Sequence, residues 1–325
     1  MDTHYIWTDK YAPKELDEIV SHDLNIQILE NLIKKRNMPH VIFYGKSGIG
    51  KTSIISACIT KIYKDTFRSC ILEINASDDR GIEMIREKIK SFASTTNLFN
   101  NNVKLVILDE ADLMTADAQT ALKKIIELYI KNCRFCILCN NINKIIPEIQ
   151  SRCMKMRFKP IKKPKALKRL KYICDQEQLS ISENALNIII DNSDHDLRKM
   201  INLLQSISEI NSNKINVSNI YKFLNIINNK EEDLFKQSIK TDSLINIFNN
   251  IQKYIKIYNY SITDIIKLVY KFIREIKSID KTQYDLLTNC IINLADLEFK
   301  ISNGCEYYIA SGYISSLLWD MKELL

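Results

Sequence analysis

Gly45-Lys46-Ser47-Gly48-Ile49-Gly50-Lys51-Thr52 fits GxxxxGK[ST] at every fixed position. The octapeptide follows an apolar run, residues 41–44 (VIFY), and opens a stretch of helical character over residues 53–63. In that context the glycines let backbone amides curl around phosphate oxygens, and the helix N-terminus adds a favourable dipole. Lys51 then reaches the β- and γ-phosphates of a nucleoside triphosphate, and Thr52 ligates Mg²⁺. Further along, the apolar run 106–108 (VIL) ends in Asp109-Glu110-Ala111-Asp112. A strand that delivers adjacent carboxylates at its C-terminal end supplies what ATP hydrolysis needs beside the loop: Asp109 for the metal, Glu110 for the proton of the attacking water. The letters DEAD also invite a helicase reading, but that class needs a second RecA-like domain, and the second half of this chain reads as helical.

Cys133, Cys136 and Cys139 form a CxxCxxC run that could suggest a metal. The segment reads as a strand, so Cys133 and Cys139 share one face and Cys136 takes the other, whereas structural zinc needs four converging ligands. Nine cysteines, an odd number in a chain with no apolar leader in its first ten residues, argue against a disulfide framework and for an intracellular protein.

These residues must be positioned by regular elements. The chain has 325 residues, enough for about two domains, with 46% apolar and 26% charged residues, the balance of a soluble globular protein. Gly 6 and Pro 5 leave few helix breakers. No apolar run approaches the roughly 18 residues of a transmembrane helix, so no membrane partner is expected. The net charge of +7 lies mainly in the first half and is compatible with a polyanion partner. Short apolar runs at 41–44, 70–74, 104–108 and 134–138 alternate with helical stretches, which predicts a doubly wound α/β domain with a parallel sheet. Pro160 and Pro164 bracket a change to helical periodicity. Helices are expected over 185–190 and 197–207, with the polar stretch 209–219 as a connector. In the last hundred residues Ile262, Ile265, Ile266, Val269, Ile273 and Ile276 recur at helical spacing, as do Leu287, Cys290, Ile291, Leu294 and Leu297. Such stripes suit a helical core or an oligomerisation domain. The basic run 155–171 sits at the domain hinge and reads as solvated linker.

With these motifs in hand, the chain resembles the small subunits of eukaryotic replication factor C, the AAA+ sliding-clamp loader, nearly end to end. The resemblance rests on residues 7–13 (WTDKYAP), 38–40 (MPH), 75–81 (NASDDRG), 109–112 (DEAD), 150–153 (QSRC) and 196–199 (DLRK). It implies a RecA-like ATPase core over 1–160, a helical lid over 161–227 and a helical collar over 228–325. It also implies ATP and Mg²⁺ as cofactors, four homologous subunits, a sliding clamp and primer–template DNA as partners, and the nucleus as location. Gly45, Lys46, Ser47, Gly48, Ile49, Gly50, Lys51, Thr52 and Ser53 would hold the nucleotide, with Thr8 and Val20 at the adenine. Asn140 would orient the attacking water, and Arg198 would touch the γ-phosphate from the lid. Arg152 would act in trans as an arginine finger. Arg80, Arg86 and Lys90 would contact DNA phosphates, Arg86 and Lys90 sharing a helix face. Leu98 and Phe99 would meet the clamp. Ala12, Lys46-Ser47 and His195 depart from the family pattern, which has Arg, Pro-Pro and Gly there. A structural AAA+ subunit that binds ATP without useful hydrolysis, or another AAA+ DNA-processing ATPase, are the alternatives; intact Lys51 and Glu110 argue against the first.

Overall fold

A computed structural model describes residues 6–35, 38–63, 70–77, 82–95, 103–210, 214–240, 243–276 and 281–321. The chain forms two compact units, residues 1–216 and 217–325. No helix among the described residues is long and apolar enough to cross a membrane.

The first unit is built on five strands: β1 (Val41–Tyr44), β2 (Ile71–Asn75), β3 (Lys104–Asp109), β4 (Cys133–Cys139) and β5 (Met154–Arg157). They pair in parallel in the order β2-β3-β4-β1-β5. The central strands read as continuous apolar runs because both faces are covered. Val41, Phe43, Leu105, Ile107, Cys136 and Leu138 face one buried cluster. Ile42, Val106, Leu108, Phe135, Ile137, Cys133 and Cys139 face the other. Cys136 thus lies opposite Cys133 and Cys139, as the strand period requires. In this register β1 and β3, which lead into the glycine loop and the carboxylates, flank β4, which ends one residue before Asn140.

Strand β5 corrects the linker reading of 155–171. Its sequence, MKMR, lacks an apolar run because it lies at the sheet edge and buries only Met156. The register is fixed by backbone bonds at both ends, Met154 N–H to His40 O (2.8 Å) and Phe158 N–H to Tyr44 O (2.8 Å). The rest of the basic run enters the helix Lys163–Gln176, which buries Ala166, Leu170, Ile173 and Cys174. Three of its charges find acidic partners: Lys163 with Asp191, Lys165 with Asp23, Lys171 with Glu183. Two further helices, Glu183–Asp191 and Leu197–Ile210, pack against it. The stretch expected as a connector contains a strand, Lys214–Ile215, paired with Ser180–Ile181, and the start of the helix Val217–Leu224. A two-residue strand is too short to leave a periodic signal.

The second unit is helical among the described residues, with helices Asn229–Ile239, Leu244–Tyr258, Ile262–Glu275, Lys281–Ser302 and Tyr307–Met321 after Val217–Leu224. Ile262, Ile265, Ile266, Val269 and Ile273 are buried together with Leu287, Cys290, Leu294 and Leu297, and Ile276 packs at the edge. Ile291 departs from its stripe and is 41% exposed. Neighbouring helices cover only the stripe one turn apart from Leu287 through Leu297, and Ile291 lies beside it.

Candidate nucleotide-binding site

A cavity of about 320 Å³ opens at the C-terminal ends of the central strands. Its floor is the loop between β1 and the helix Lys51–Tyr63, from Ser47 to Ser53. Gly48 (φ 66°) and Gly50 (φ 97°) take backbone conformations that favour glycine and turn the loop. Gly45 and Lys46 lie outside the lining, yet their carbonyls hold the key side chain. The Lys51 ammonium donates to Gly45 O (2.6 Å), Lys46 O (2.8 Å) and Asn140 Oδ1 (2.8 Å). Burial pushes its pKa down, and the nearby Asp109 carboxylate works against that.

Asp109 ends β3 and faces the loop. Its Oδ2 accepts from the Thr52 hydroxyl (3.1 Å), and its Oδ1 accepts from the Glu110 backbone N–H (2.8 Å). A hydroxyl and a carboxylate meeting beside a phosphate cradle are hard oxygen donors of the kind Mg²⁺ takes. Among the described residues no three His, Cys, Asp or Glu side chains gather as a metal cage. A magnesium ion held by one or two protein oxygens and nucleotide phosphates needs none. Glu110 follows in the left-handed region (φ 54°) and lines the cavity half-buried. An L-residue adopts that backbone at a cost of roughly 1 kcal/mol, and here it turns the carboxylate away from the path of the strand.

Asn140 stands one residue past β4, bound to Lys51. Its own N–H donates to Asp112 Oδ1 (3.1 Å), and the Asn141 N–H donates to Asp112 Oδ2 (3.3 Å). Asp112 is buried and thus fixes the turn that carries Asn140. Thr8, Val20 and Arg198 line the cavity from three further segments. Arg198 comes from the first turn of the helix Leu197–Ile210.

Arg152 does not line this cavity. It follows the helix Pro147–Gln150, is exposed, and pairs with Glu127 (2.6 Å) while donating to Glu148 O (2.6 Å). Lys90 is exposed on the helix Ile82–Ser94; Arg86 lies on the same helix, its side chain outside the described residues. Arg80, Leu98 and Phe99 lie outside the described residues.

Residues outside any sequence motif also support the site. His22 brings Nε2 within 3.1 Å of Ile49 O and packs edge-on against Phe158. Arg169 lines the cavity and donates to Tyr11 O (2.7 Å). Gln119 donates from Nε2 to Met114 O and Lys144 O and accepts at Oε1 from Ile146 N–H, joining the turn after Asp112 to the segment leading to Arg152. A lone His, Arg or Gln carries no spacing signal. His195 takes φ 64°, so the backbone expected of glycine is kept by a histidine, one of the side chains that tolerate it.

Two family models match parts of this chain. Residues 58–162 match the family described as DNA polymerase III, delta subunit, and residues 168–208 match the RCF1/5-like AAA+ ATPase lid domain. Replication factor C subunit 3 of Schizosaccharomyces pombe is 39% identical, over 96% of this chain and 90% of its own. Replication factor C subunit 5 of Homo sapiens is 36% identical over 98% and 93%, and the replication factor C small subunit of Staphylothermus marinus 39% identical over 98% and 96%. Among solved structures, the Thermotoga maritima RuvB Holliday junction branch migration motor superposes with a TM-score of 0.55 at 16% identity, covering 77% of this chain and 81% of that one. That likeness concerns the fold. With relatives of this identity spanning almost its whole length, the chain belongs to the replication factor C subunit family and has an AAA+ ATPase core followed by a helical lid.

Proposed function

We propose that this chain is an ATP-hydrolysing subunit of a heteropentameric clamp loader, which with four homologous subunits opens a sliding clamp and places it on primer–template DNA in the nucleus. The observation that carries the reading is the convergence of Lys51, Thr52, Asp109, Glu110, Asn140 and Arg198 on one cavity. Lys51 donates to the β- and γ-phosphates, and Asp109 and Thr52 hold a magnesium ion, which neutralises phosphate charge. Glu110 accepts the proton of the attacking water, Asn140 orients it, and Arg198 donates to the γ-phosphate. Thr8 and Val20 flank the adenine. The position of Arg152, exposed and outside its own cavity, supports a role at a neighbour's nucleotide. We assign residues 1–160 to the ATPase core, 161–227 to the lid and 228–325 to the collar. The exposed apolar side chains Ile292, Phe299 and Ile309 of the second unit support assembly through the collar. Arg80, Arg86 and Lys90 are assigned to DNA phosphates, and Leu98 and Phe99 to the clamp.

Co-expression with four homologous subunits tests the reading. Purified complex should load a covalently closed clamp onto nicked or primed circular DNA only with hydrolysable ATP. Assembly without ATP-dependent loading would favour the structural-subunit alternative; failure to bind any clamp would favour another DNA-processing ATPase.

A further inference from the structure

The segment before Arg198 makes an unusual approach to the phosphate loop. A Cβ placed on Gly48 would lie 1.7 Å from Asp196 Oδ1 and 1.9 Å from its Cγ, so the carboxylate occupies the space that any other residue at 48 would fill. The next residue adds a backbone bond, Leu197 N–H to Gly48 O (3.1 Å). Asp196 also caps the helix it precedes: its Oδ1 accepts from Lys199 N–H (3.0 Å), and its carbonyl accepts from Met200 N–H (3.0 Å). One carboxylate therefore touches the loop and fixes the first helical turn, and Arg198 lies within that turn. The approach is set by two consecutive left-handed residues, Asp194 (φ 51°) and His195 (φ 64°), anchored by buried Ser193 and by the His195 Nδ1 contact with Ile161 O (3.3 Å). Consecutive left-handed L-residues are uncommon, and they persist where surrounding contacts over-determine them.

We propose that Asp196 is a positioning residue: it docks the lid helix on Gly48 of the phosphate loop and so holds Arg198 at the γ-phosphate position. The consequence is selectivity between nucleotides. An arginine held at that position contributes to ATP and not to ADP, so loss of the dock removes discrimination while the loop's own grip on the shared phosphates persists. This inference rests on the nucleotide reading of the cavity and on Arg198 reading the γ-phosphate.

The test is titration of the full-length chain with fluorescently labelled ATP and ADP in Mg²⁺ buffer, for wild type, Asp196→Ala, Asp196→Asn, Arg198→Ala, Lys51→Ala and the double variant Asp196→Ala/Arg198→Ala, each with a thermal melt. Asn caps helices as well as Asp does and has the same shape, so Asp196→Asn should retain selectivity. Asp196→Ala should bind ATP about tenfold more weakly and ADP within about twofold of wild type, and it should add no further loss to Arg198→Ala. Equal losses for both nucleotides, or additive losses in the double variant, would overturn the positioning role. If Arg198→Ala leaves ATP binding unchanged, the reading of Arg198 fails and this inference falls with it; if Lys51→Ala also leaves binding unchanged, the nucleotide reading itself is wrong.

Discussion

At the scale of single residues, the Lys51 ammonium is saturated by three oxygens of its own chain, two of them loop carbonyls and one the Asn140 amide. In the proposed role nucleotide phosphates replace these partners at Lys51, while Glu110 acts on the attacking water. Lys51→Ala removes the charge that meets the phosphates and should weaken ATP binding by about 10–100-fold. Glu110→Gln keeps the loop intact and removes the carboxylate we assign as proton acceptor. Binding should stay near wild type while hydrolysis at this site falls about 100–1,000-fold, read by nucleotide titration and single-turnover hydrolysis in the assembled complex. A second residue-scale prediction concerns His40, just ahead of β1. Its Nδ1 accepts from Phe135 N–H (3.1 Å), its Nε2 is buried without a partner among the described residues, and burial with nearby Arg134 pushes its pKa from 6.5 to about 4. A depressed folded-state pKa means that the unfolded chain takes up the proton first. The contribution is complete above pH 6.5 and is lost as pH falls toward 4. His40→Asn keeps an acceptor and cannot titrate. Between about pH 6 and pH 5 urea unfolding should show wild type losing about 1.2 kcal/mol more than the variant.

At the scale of elements, the sheet is the device that gathers the site. Parallel pairing of β1, β4 and β3 brings the loop after β1, Asn140 after β4 and Asp109 at the end of β3 to one edge, although 89 positions separate Lys51 from Asn140. The helix Ile82–Ser94 buries Ile89 and Ala93 and leaves Lys88 and Lys90 exposed. Exposed Glu87 lies on the same helix, and the proposed phosphate contact is a matter for salt titration. Replacing Arg86 and Lys90 with Ala should lower the magnitude of the salt slope of DNA binding by about one to two, with no change in sequence preference. An unchanged slope would make these residues solvated charges.

At the scale of the whole molecule, Arg152 has no place in its own cavity and is held by Glu127 at the surface. An exposed pair of this kind is worth about 0–1 kcal/mol, so a neighbouring subunit's phosphate can compete for the guanidinium. In a complex where only the adjacent subunit can hydrolyse ATP, Arg152→Ala should lower ATPase activity about 10³-fold or more while leaving nucleotide binding at this chain's own loop intact. A defect confined to this chain's own site would refute the trans assignment.

What the sequence determined by itself is the part of the molecule written in local patterns. The glycine loop, the DEAD segment, four of the five strands of the larger sheet and the stripes of the second unit were legible because each depends on the period of one element or on the turn chemistry of a few consecutive residues. Strand β5 was not, since an edge strand buries few side chains and here has only Met156 to show for it. The exposure of Ile291 was not, because a stripe of apolar residues does not say how wide a neighbouring helix will cover it. Tertiary structure alone decided that Asp112 fixes Asn140, that His22 reaches the Ile49 carbonyl, and that Asp196 lies on Gly48, 148 positions away in the chain. Such contacts arise where separate elements end near one another, and single-residue chemistry at a meeting point leaves no periodic trace in the sequence that encodes it.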